Sequence, residues 1–173
     1  MSSTFSFSTF TVLYNNTIDQ LYSYGIKITS DKSTVKDCIQ EAYMDLFQNW
    51  EKIRNPKAVK YYLLKSLKRI IYRKLKAKRQ SESLDFKNIK DYGFDEPFED
   101  EIIKTENEEI LADKMNQALN KLTSKQKEII HLKFNMGFSY EEIGRLMNIH
   151  SDSAKKQTYR ALGKLRGLVN ENY

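Results

Sequence analysis

Apolar side chains recur at steps of three and four residues along much of this 173-residue chain, and that spacing predicts amphipathic helices. The clearest run begins at Thr34 and comprises Val35, Ile39, Ala42, Leu46 and Trp50, with Tyr43 and Phe47 widening the stripe. Upstream, one or two further helices ending near Gly25 are indicated by Phe10, Leu13, Tyr14, Leu21 and Tyr24. The N-terminal part of the chain is therefore expected to be helical.

A third helix is predicted to start at Asn55-Pro56, because asparagine caps helices well and proline suits the first helical turn. It should run to about Arg79, with an apolar face formed by Val59, Leu63, Leu67 and Ile70 and broadened by Tyr62, Ile71 and Leu75. These helices are expected to form one bundle, an N-terminal domain over residues 5–80.

The periodicity lapses between Gln80 and about Glu109, where Asp, Glu, Gly and Pro accumulate. This composition predicts an acidic, flexible linker over residues 81–109. Its simplest role is that of a solubilising tether. A second interpretation is that its acids partly mask basic surfaces elsewhere in the chain.

A second helical domain is predicted over residues 110–170, beginning with a helix that carries Ile110, Leu111, Met115, Ala118, Leu119 and Leu122. Two capping boxes, Thr123 to Gln126 and Ser139 to Glu142, predict the next two helix starts, since each motif satisfies two backbone amides. The first of these helices should bury Ile129, Ile130, Leu132 and Phe134 and stop before Gly137, and the second should bury Ile143, Leu146 and Met147. The predicted fold class is all-α, with two small helical domains joined by an acidic linker.

The helix from Ser139 to Met147 and a last helix, capped by Ser151 and running to Leu168, resemble a helix-turn-helix. The last helix should face inward through Ala154, Thr158, Ala161 or Leu162, and Leu165. Because the N-terminal part of such a helix enters the DNA major groove, the outward set is a candidate base-reading surface. With the amide-bearing helix start, this set comprises Ser151, Asp152, Ser153, Lys155, Lys156, Gln157, Tyr159 and Arg160. A helical bundle with a basic face and no DNA role is the plainer alternative.

The charge distribution favours a polyanionic partner. Residues 52–80 contain twelve Lys or Arg and no Asp or Glu, residues 81–113 contain twelve acids against three bases, and residues 114–173 contain eleven bases against five acids. A run of like charges is often only a solvated helix face. Without compensating acids, however, the first basic block should repel itself unless a polyanion neutralises it, so nucleic acid is the favoured partner.

Several classes of protein fit the sequence poorly. No segment approaches the roughly 18 consecutive apolar residues that a membrane span requires. The single cysteine, Cys38, cannot form an internal disulfide, which indicates a reducing, cytoplasmic location. Two histidines do not suggest a metal site, and the acidic residues lie mostly in the linker rather than in a catalytic cluster, so an enzyme such as a nuclease is not expected.

Two groups of residues carry a family resemblance. The segments Leu122–Ile130 (LTSKQKEII), Phe138–Gly144 (FSYEEIG) and Tyr159–Arg166 (YRALGKLR) resemble the C-terminal domain of extracytoplasmic-function (ECF) sigma factors of bacterial RNA polymerase. The segment Asp37–Trp50 (DCIQEAYMDLFQNW) is similar to the polymerase-binding helix of the same family. The resemblance implies an alternative sigma factor that directs promoter-specific initiation, with no cofactor, no small-molecule substrate and no catalysis of its own.

The resemblance also implies residue roles. Core RNA polymerase would be bound by Asp37, Gln40, Glu41 and Asp45, for which ordinary surface solubility is the alternative. The −10 promoter element would be melted and contacted by Tyr61, Lys65, Lys68, Arg69, Tyr72, Arg73 and Lys76, because cations follow a phosphate backbone while tyrosines stack on bases. Some of these tyrosines could instead fill the core. Arg69 and Arg73 replace the Asn and Asp expected in the family, which favours non-specific backbone contact.

The −35 element would be read through Ser151 to Arg160, where Asp152-Ser153-Ala154 replaces the family's usual Gly-Thr-Val. Family members are commonly held by an anti-sigma factor, so such a partner is expected here too. The alternative function is a stand-alone helix-turn-helix regulator that binds duplex DNA without polymerase. That alternative leaves the Asp37–Trp50 helix and the tyrosine-rich basic helix unexplained.

Overall fold

Helices and short turns make up all of the chain that the computed structural model describes, which is residues 7–53, 58–81 and 115–170. The chain divides into two compact units, Met1–Tyr92 and Gly93–Tyr173. The predicted all-α class is confirmed, with no strand among the described residues. The predicted cap at Asn55-Pro56, the linker beyond Ser81, and Ile110 and Leu111 lie outside them.

The N-terminal unit contains three long helices, α1 (Phe7–Ile28), α2 (Lys32–Gln48) and α3 (Val59–Ser81), with a 3₁₀ turn at Trp50–Lys52. All three pairs of helices pack together. Their shared core contains the apolar positions that periodicity selects: Leu21, Tyr24, Val35, Ile39, Ala42, Leu46, Val59, Leu63, Leu67, Ile70 and Ile71. The hydrophobic pattern therefore predicts the bundle correctly at most positions.

Three details of this unit differ from the sequence prediction. The N-terminal segment is one helix, which the prediction allowed, but it ends at Ile28 and not near Gly25. Phe47 does not widen the buried stripe, because its side chain is 63% exposed, and Trp50 belongs to the 3₁₀ turn after α2. Helix α2 starts before Thr34, since the Asp31 carboxylate accepts a hydrogen bond from the Thr34 amide at 3.0 Å and caps the helix. This contact and one from the Thr34 hydroxyl lower the pKa of Asp31.

The C-terminal unit contains α4, described over residues 115–120, α5 (Ser124–Ile130), α6 (Tyr140–Met147) and α7 (Ser151–Asn170). Both predicted capping boxes are confirmed, at Thr123 for α5 and at Ser139 for α6. Helices α5 and α6 both pack against α7. The capping boxes thus set the starts of the two helices that support α7.

A π-helical turn, His131–Asn135, follows α5 and corrects the prediction for Phe134. The amide of Met136 donates to the carbonyl of His131 at 3.0 Å, a five-residue step that is wider than the four-residue step of an α-helix. The wider turn rotates Phe134 out of the expected buried stripe, and its side chain is 58% exposed. Met136 and Phe138 are buried beyond the turn instead.

The turn between α6 and α7 depends on two small backbone features. Asn148 ends α6 in the left-handed conformation at φ 54°, a region that asparagine tolerates better than most residues. A Cβ atom on Gly144 would lie 2.7 Å from the carbonyl oxygen of Ile149, so only glycine allows this approach. These features complete the predicted helix-turn-helix.

Candidate nucleic-acid and protein interfaces

The inner face of α7 is made of small side chains. Ala154, Thr158 and Ala161 are fully buried and Leu165 nearly so, whereas Leu162 is exposed, which selects Ala161 from the two inward candidates. The Thr158 hydroxyl donates to the Ala154 carbonyl at 2.9 Å, so this buried polar group is satisfied within its own helix. Small, satisfied side chains let α7 pack closely on α5 and α6.

The outer face of α7 carries the residues predicted to read DNA. Asp152, Lys155, Lys156, Tyr159 and Arg160 are exposed, and Ser151, Ser153 and Gln157 are partly exposed. One detail is corrected: Ser151 is the first helical residue and not the cap, because the His150 carbonyl accepts the first helical bond, from the Ala154 amide at 3.0 Å. The surface therefore has three cations, one acid and an exposed aromatic ring, opposite a tightly packed inner face.

Helix α3 has two different polar faces beside its buried face. One, which we call the tyrosine–lysine stripe, consists of Tyr61, Lys65, Lys68, Tyr72 and Lys76. The lysines at 65 and 76 are exposed, whereas Lys68 and both tyrosines are partly buried. The Lys68 ammonium lies 6.0 Å from the centre of the Tyr72 ring. These tyrosines are not core residues, and the stripe alternates cations with aromatic rings.

The second polar face of α3 lies against α2, and we call it the carboxylate–arginine cluster: Glu41 and Asp45 of α2 with Arg69 and Arg73 of α3. Arg69 Nη2 lies 2.6 Å from Asp45 Oδ2, and Arg73 forms an ion pair with Glu41. The same Asp45 oxygen accepts a hydrogen bond from the Ser66 hydroxyl at 2.9 Å. Glu41 and Asp45 are thus each bound by a different arginine of α3.

The cluster corrects the charge argument drawn from the sequence. Residues 52–80 contain no acid, yet Arg69, Arg73 and Lys74 of that block lie within ion-pair distance of carboxylates on α2. Lys74 Nζ is 3.9 Å from Glu41 Oε2, at the limit of such a contact. The block therefore has intramolecular compensation that the order of residues along the chain conceals.

The outward part of α2 combines polar and apolar side chains. Asp37 and Gln40 are exposed, whereas Glu41 and Asp45 are partly buried beside α3. A groove of about 910 Å³ lies between α1 and α2, lined by Phe10, Tyr14, Ile18, Asp19, Tyr22, Lys36, Ile39, Gln40, Tyr43, Met44, Phe47 and Gln48. Met44 and Phe47 are largely exposed at this groove. The groove joins Gln40 to an apolar surface that the sequence analysis did not identify.

Neither described unit offers a metal site or a membrane-crossing segment. Among the residues searched, no group of three or more His, Cys, Asp or Glu is placed to hold a metal ion. No described helix is both long enough and apolar enough to cross a membrane.

The two helical units coincide with two known domains. The family model for sigma-70 region 2 matches residues 13–81, and the model for sigma-70 region 4 matches residues 112–165. The matched segments together cover most of the chain, in the order found in sigma factors. The chain belongs to the sigma-70 family.

Relatives narrow this assignment. The chain is 26% identical over 167 residues to ECF RNA polymerase sigma factor SigX of Bacillus subtilis (strain 168). The aligned region covers 91% of this chain and 82% of SigX. It is 24% identical over 146 residues to RNA polymerase sigma factor SigV of the same organism, and that aligned region covers 84% of this chain and 81% of SigV. The protein is an alternative sigma factor of the ECF group.

A solved structure agrees on the fold. Sigma factor RpoE, in a co-crystal structure with the anti-sigma factor NepR from Bartonella quintana, matches with a TM-score of 0.64 at 19% identity. The match covers 93% of this chain and 96% of RpoE. At this identity the likeness concerns the fold alone.

Proposed function

We propose that this sigma factor binds core RNA polymerase through the outward part of α2. Asp37 and Gln40 are the exposed members of the predicted set, and Glu41 and Asp45 border it on the side of α3. Exposed Met44 and Phe47 beside Gln40 add the apolar area that protein interfaces use for affinity, while the polar residues supply specificity. The α1–α2 groove extends this contact area.

The −10 promoter element is contacted by α3 in this proposal. Alternating cations and tyrosines in the tyrosine–lysine stripe suit a single strand, because lysines neutralise phosphates and rings stack on unpaired bases. Arg69 and Arg73, also predicted as contacts, lie on the neighbouring face with the α2 acids. The stripe is therefore the primary candidate for contact with melted DNA.

The −35 element is read by α7. Its predicted residues are Ser151, Asp152, Ser153, Lys155, Lys156, Gln157, Tyr159 and Arg160. The observation that carries the proposal is the contrast on this helix between a fully buried face of small residues and an outer face with Lys155, Lys156 and Arg160 exposed. A helix held in this way presents its N-terminal half to a major groove.

The partners follow from these surfaces. Core RNA polymerase and promoter DNA are the binding partners, polymerase carries out the chemistry in the cytoplasm, and the chain itself is not an enzyme and needs no cofactor. The sigma factor of the matched solved structure is bound to an anti-sigma factor, NepR. By analogy we propose an anti-sigma partner for this chain as well.

Run-off transcription on pools of random promoter sequences tests the proposal. We expect transcripts from a subset of promoters only when the chain and core polymerase are both present. Core polymerase alone and the chain alone are the controls. Tight binding of the chain alone to duplex DNA, with no affinity for core polymerase and no transcripts, would instead favour the stand-alone regulator.

A further inference from the structure

Asp45 of α2 is hydrogen-bonded through both its side chain and its backbone carbonyl. Its Oδ2 atom accepts hydrogen bonds from Arg69 at 2.6 Å and from the buried Ser66 hydroxyl at 2.9 Å. Its backbone carbonyl accepts from the Asn49 side-chain amide at 2.9 Å, and the Tyr62 hydroxyl lies 3.4 Å from the same oxygen. The Asp45 side chain is 28% exposed, against 64% for Arg69. The Asp45 side chain is therefore held at the contact between the two helices, and the more exposed Arg69 side chain reaches it from α3.

The paired residues on α3 recur along one side of the helix. Tyr62, Ser66, Arg69 and Arg73 are separated by four, three and four residues, and their contacts reach Asp45 and Glu41. The tyrosine–lysine stripe has the same kind of spacing but starts one residue earlier, at Tyr61. At 3.6 residues per turn, the two rows are about 100° apart around the helix axis. The side chains of Arg69 and Arg73 thus point towards α2, in a different direction from the side chains of the stripe.

A carboxylate and a DNA phosphate compete for the same guanidinium. Arginine binds both anions through the same kind of N–H group, so an arginine whose Nη2 is held by Asp45 or Glu41 has fewer N–H groups and less uncompensated charge to offer to a phosphate. The lysines at 65 and 76 are exposed, and no ion pair to either is found among the described residues. Lysines and arginines of the same basic block should therefore differ in their contribution to DNA binding.

We propose that Glu41 and Asp45 are positioning residues for promoter binding. They hold Arg73 and Arg69 against α2, keep both guanidinium groups away from the DNA backbone, and leave contact with DNA to the tyrosine–lysine stripe. This inference rests on the proposed contact between α3 and melted promoter DNA. It assigns to two acids of the polymerase-binding helix a second role, in the adjoining DNA surface.

The salt dependence of DNA binding tests the assignment. The full chain is titrated against a fluorescent oligothymidylate, and the dissociation constant is measured by anisotropy at several salt concentrations. Each phosphate contact to a single strand contributes about −0.7 to the slope of the logarithm of the association constant, the reciprocal of the dissociation constant, against the logarithm of the salt concentration. We expect Lys65→Gln to make the slope shallower by about 0.7 and Arg69→Gln to leave it unchanged.

Removal of the acid gives the sharper result. Asp45→Asn should steepen the slope by about 0.7, because Arg69 is released to a phosphate, and the double variant Asp45→Asn/Arg69→Gln should return it to the wild-type value. Glu41→Gln should behave in the same way through Arg73. Asp19→Asn, which removes an exposed acid from α1, is the control for a general loss of negative charge. Far-ultraviolet circular dichroism verifies that each variant is folded.

The possible outcomes distinguish a failure of the positioning role from a failure of the proposed contact between α3 and DNA. If Arg69→Gln makes the slope as shallow as Lys65→Gln does and Asp45→Asn does not steepen it, the arginines contact DNA directly and the positioning role is wrong. If Asp19→Asn steepens the slope as much as Asp45→Asn, only net charge matters and the positioning role is again wrong. If the wild-type chain shows no salt-dependent binding, both the proposed contact of α3 with DNA and the inference built on it are overturned.

Discussion

Gly144 of α6 and Ile149 of the following turn approach so closely that a Cβ atom on the glycine would lie 2.7 Å from the Ile149 carbonyl oxygen. The same Cβ would lie 3.2 Å from the Ser151 amide nitrogen, at the start of α7. Because both contacts are to backbone atoms, no side-chain rotation relieves them. The angle at which α7 leaves the turn therefore depends on this glycine.

We expect Gly144→Ala to destabilise the C-terminal unit by about 1–3 kcal/mol, the usual cost of inserting a methyl group into a closely packed site. Urea denaturation followed by circular dichroism measures the change. Gly163→Ala is the matched control, since a Cβ there meets nothing within 4 Å. In mid-helix that control should stabilise the protein by about 0.5–1 kcal/mol. Equal effects of the two substitutions would contradict the proposed clash.

Asn148 provides a second test of the turn. Its φ of 54° is costly for residues with a Cβ atom and no local polar compensation. We expect Asn148→Ala to lower the free energy of unfolding by about 1 kcal/mol and Asn148→Gly to change it by less than about 0.5 kcal/mol. The difference in free energy of unfolding between the two variants, measured in the same denaturation experiment, isolates the cost of the left-handed backbone conformation. A more harmful glycine variant would mean that the asparagine side chain matters more than its conformation.

Substitutions on the outer face of α7 should reduce promoter recognition. If the residue contacts a base, Lys155→Ala or Arg160→Ala should weaken promoter binding by about 1–3 kcal/mol and relax the sequence preference. Promoter-dependent transcription should fall accordingly. Affinity for core polymerase should not change. Lys125→Ala removes an equal charge from an exposed position on α5 and serves as the control. Transcription unchanged in both α7 variants would show that the helix is oriented differently on DNA.

The exposed amide of Gln40 should matter for polymerase binding. Loss of one interfacial hydrogen bond costs about 1 kcal/mol, so Gln40→Ala should weaken affinity for core polymerase by about fivefold. Competition with a labelled wild-type chain for core polymerase measures the ratio of affinities. Gln117→Ala, an exposed glutamine in the other unit, is the control. Undiminished competition by the Gln40 variant would exclude that side chain from the interface.

Cys38 lies fully buried on the inner side of α2, and burial raises the pKa of its thiol. Because the thiolate is the reactive form, a thiol reagent should modify the native chain about a hundredfold more slowly than the urea-unfolded chain. The raised pKa stabilises the fold fully at neutral pH. That contribution falls as pH rises above about 8.5, where the unfolded chain begins to lose the proton first. Cys38→Ala should remove this part of the pH dependence of unfolding.

The elements predicted correctly are those encoded locally. A capping box joins residues three apart, and a buried helix face joins residues three or four apart, so Thr123, Ser139 and the core of α3 could all be identified from the chain itself. The outward set on α7 follows by the same logic, because small residues at 154, 158 and 161 identify the inner face. What these residues share is an environment fixed within one or two helical turns.

The predictions that failed depend on distant or irregular structure. Phe134 is exposed because a π-helical turn interrupts the period, and no local pattern indicates that turn. The pairing of Asp45 with Arg69 joins residues on different helices, so the basic block looks uncompensated until the bundle is formed. The groove beside Met44 and Phe47 arises only from the packing of α1 against α2. Long-range packing is the information that a periodic pattern lacks.

The carboxylate–arginine cluster also limits how the sequence can diverge. Replacing Asp45 alone releases the largely exposed Arg69 guanidinium, so a change at Asp45 should alter contact with DNA unless Arg69 changes with it. The same constraint applies to engineering. A chimaera that receives α3 from another sigma factor, in order to acquire its promoter preference, should also receive that factor's residues at the α2 positions facing it.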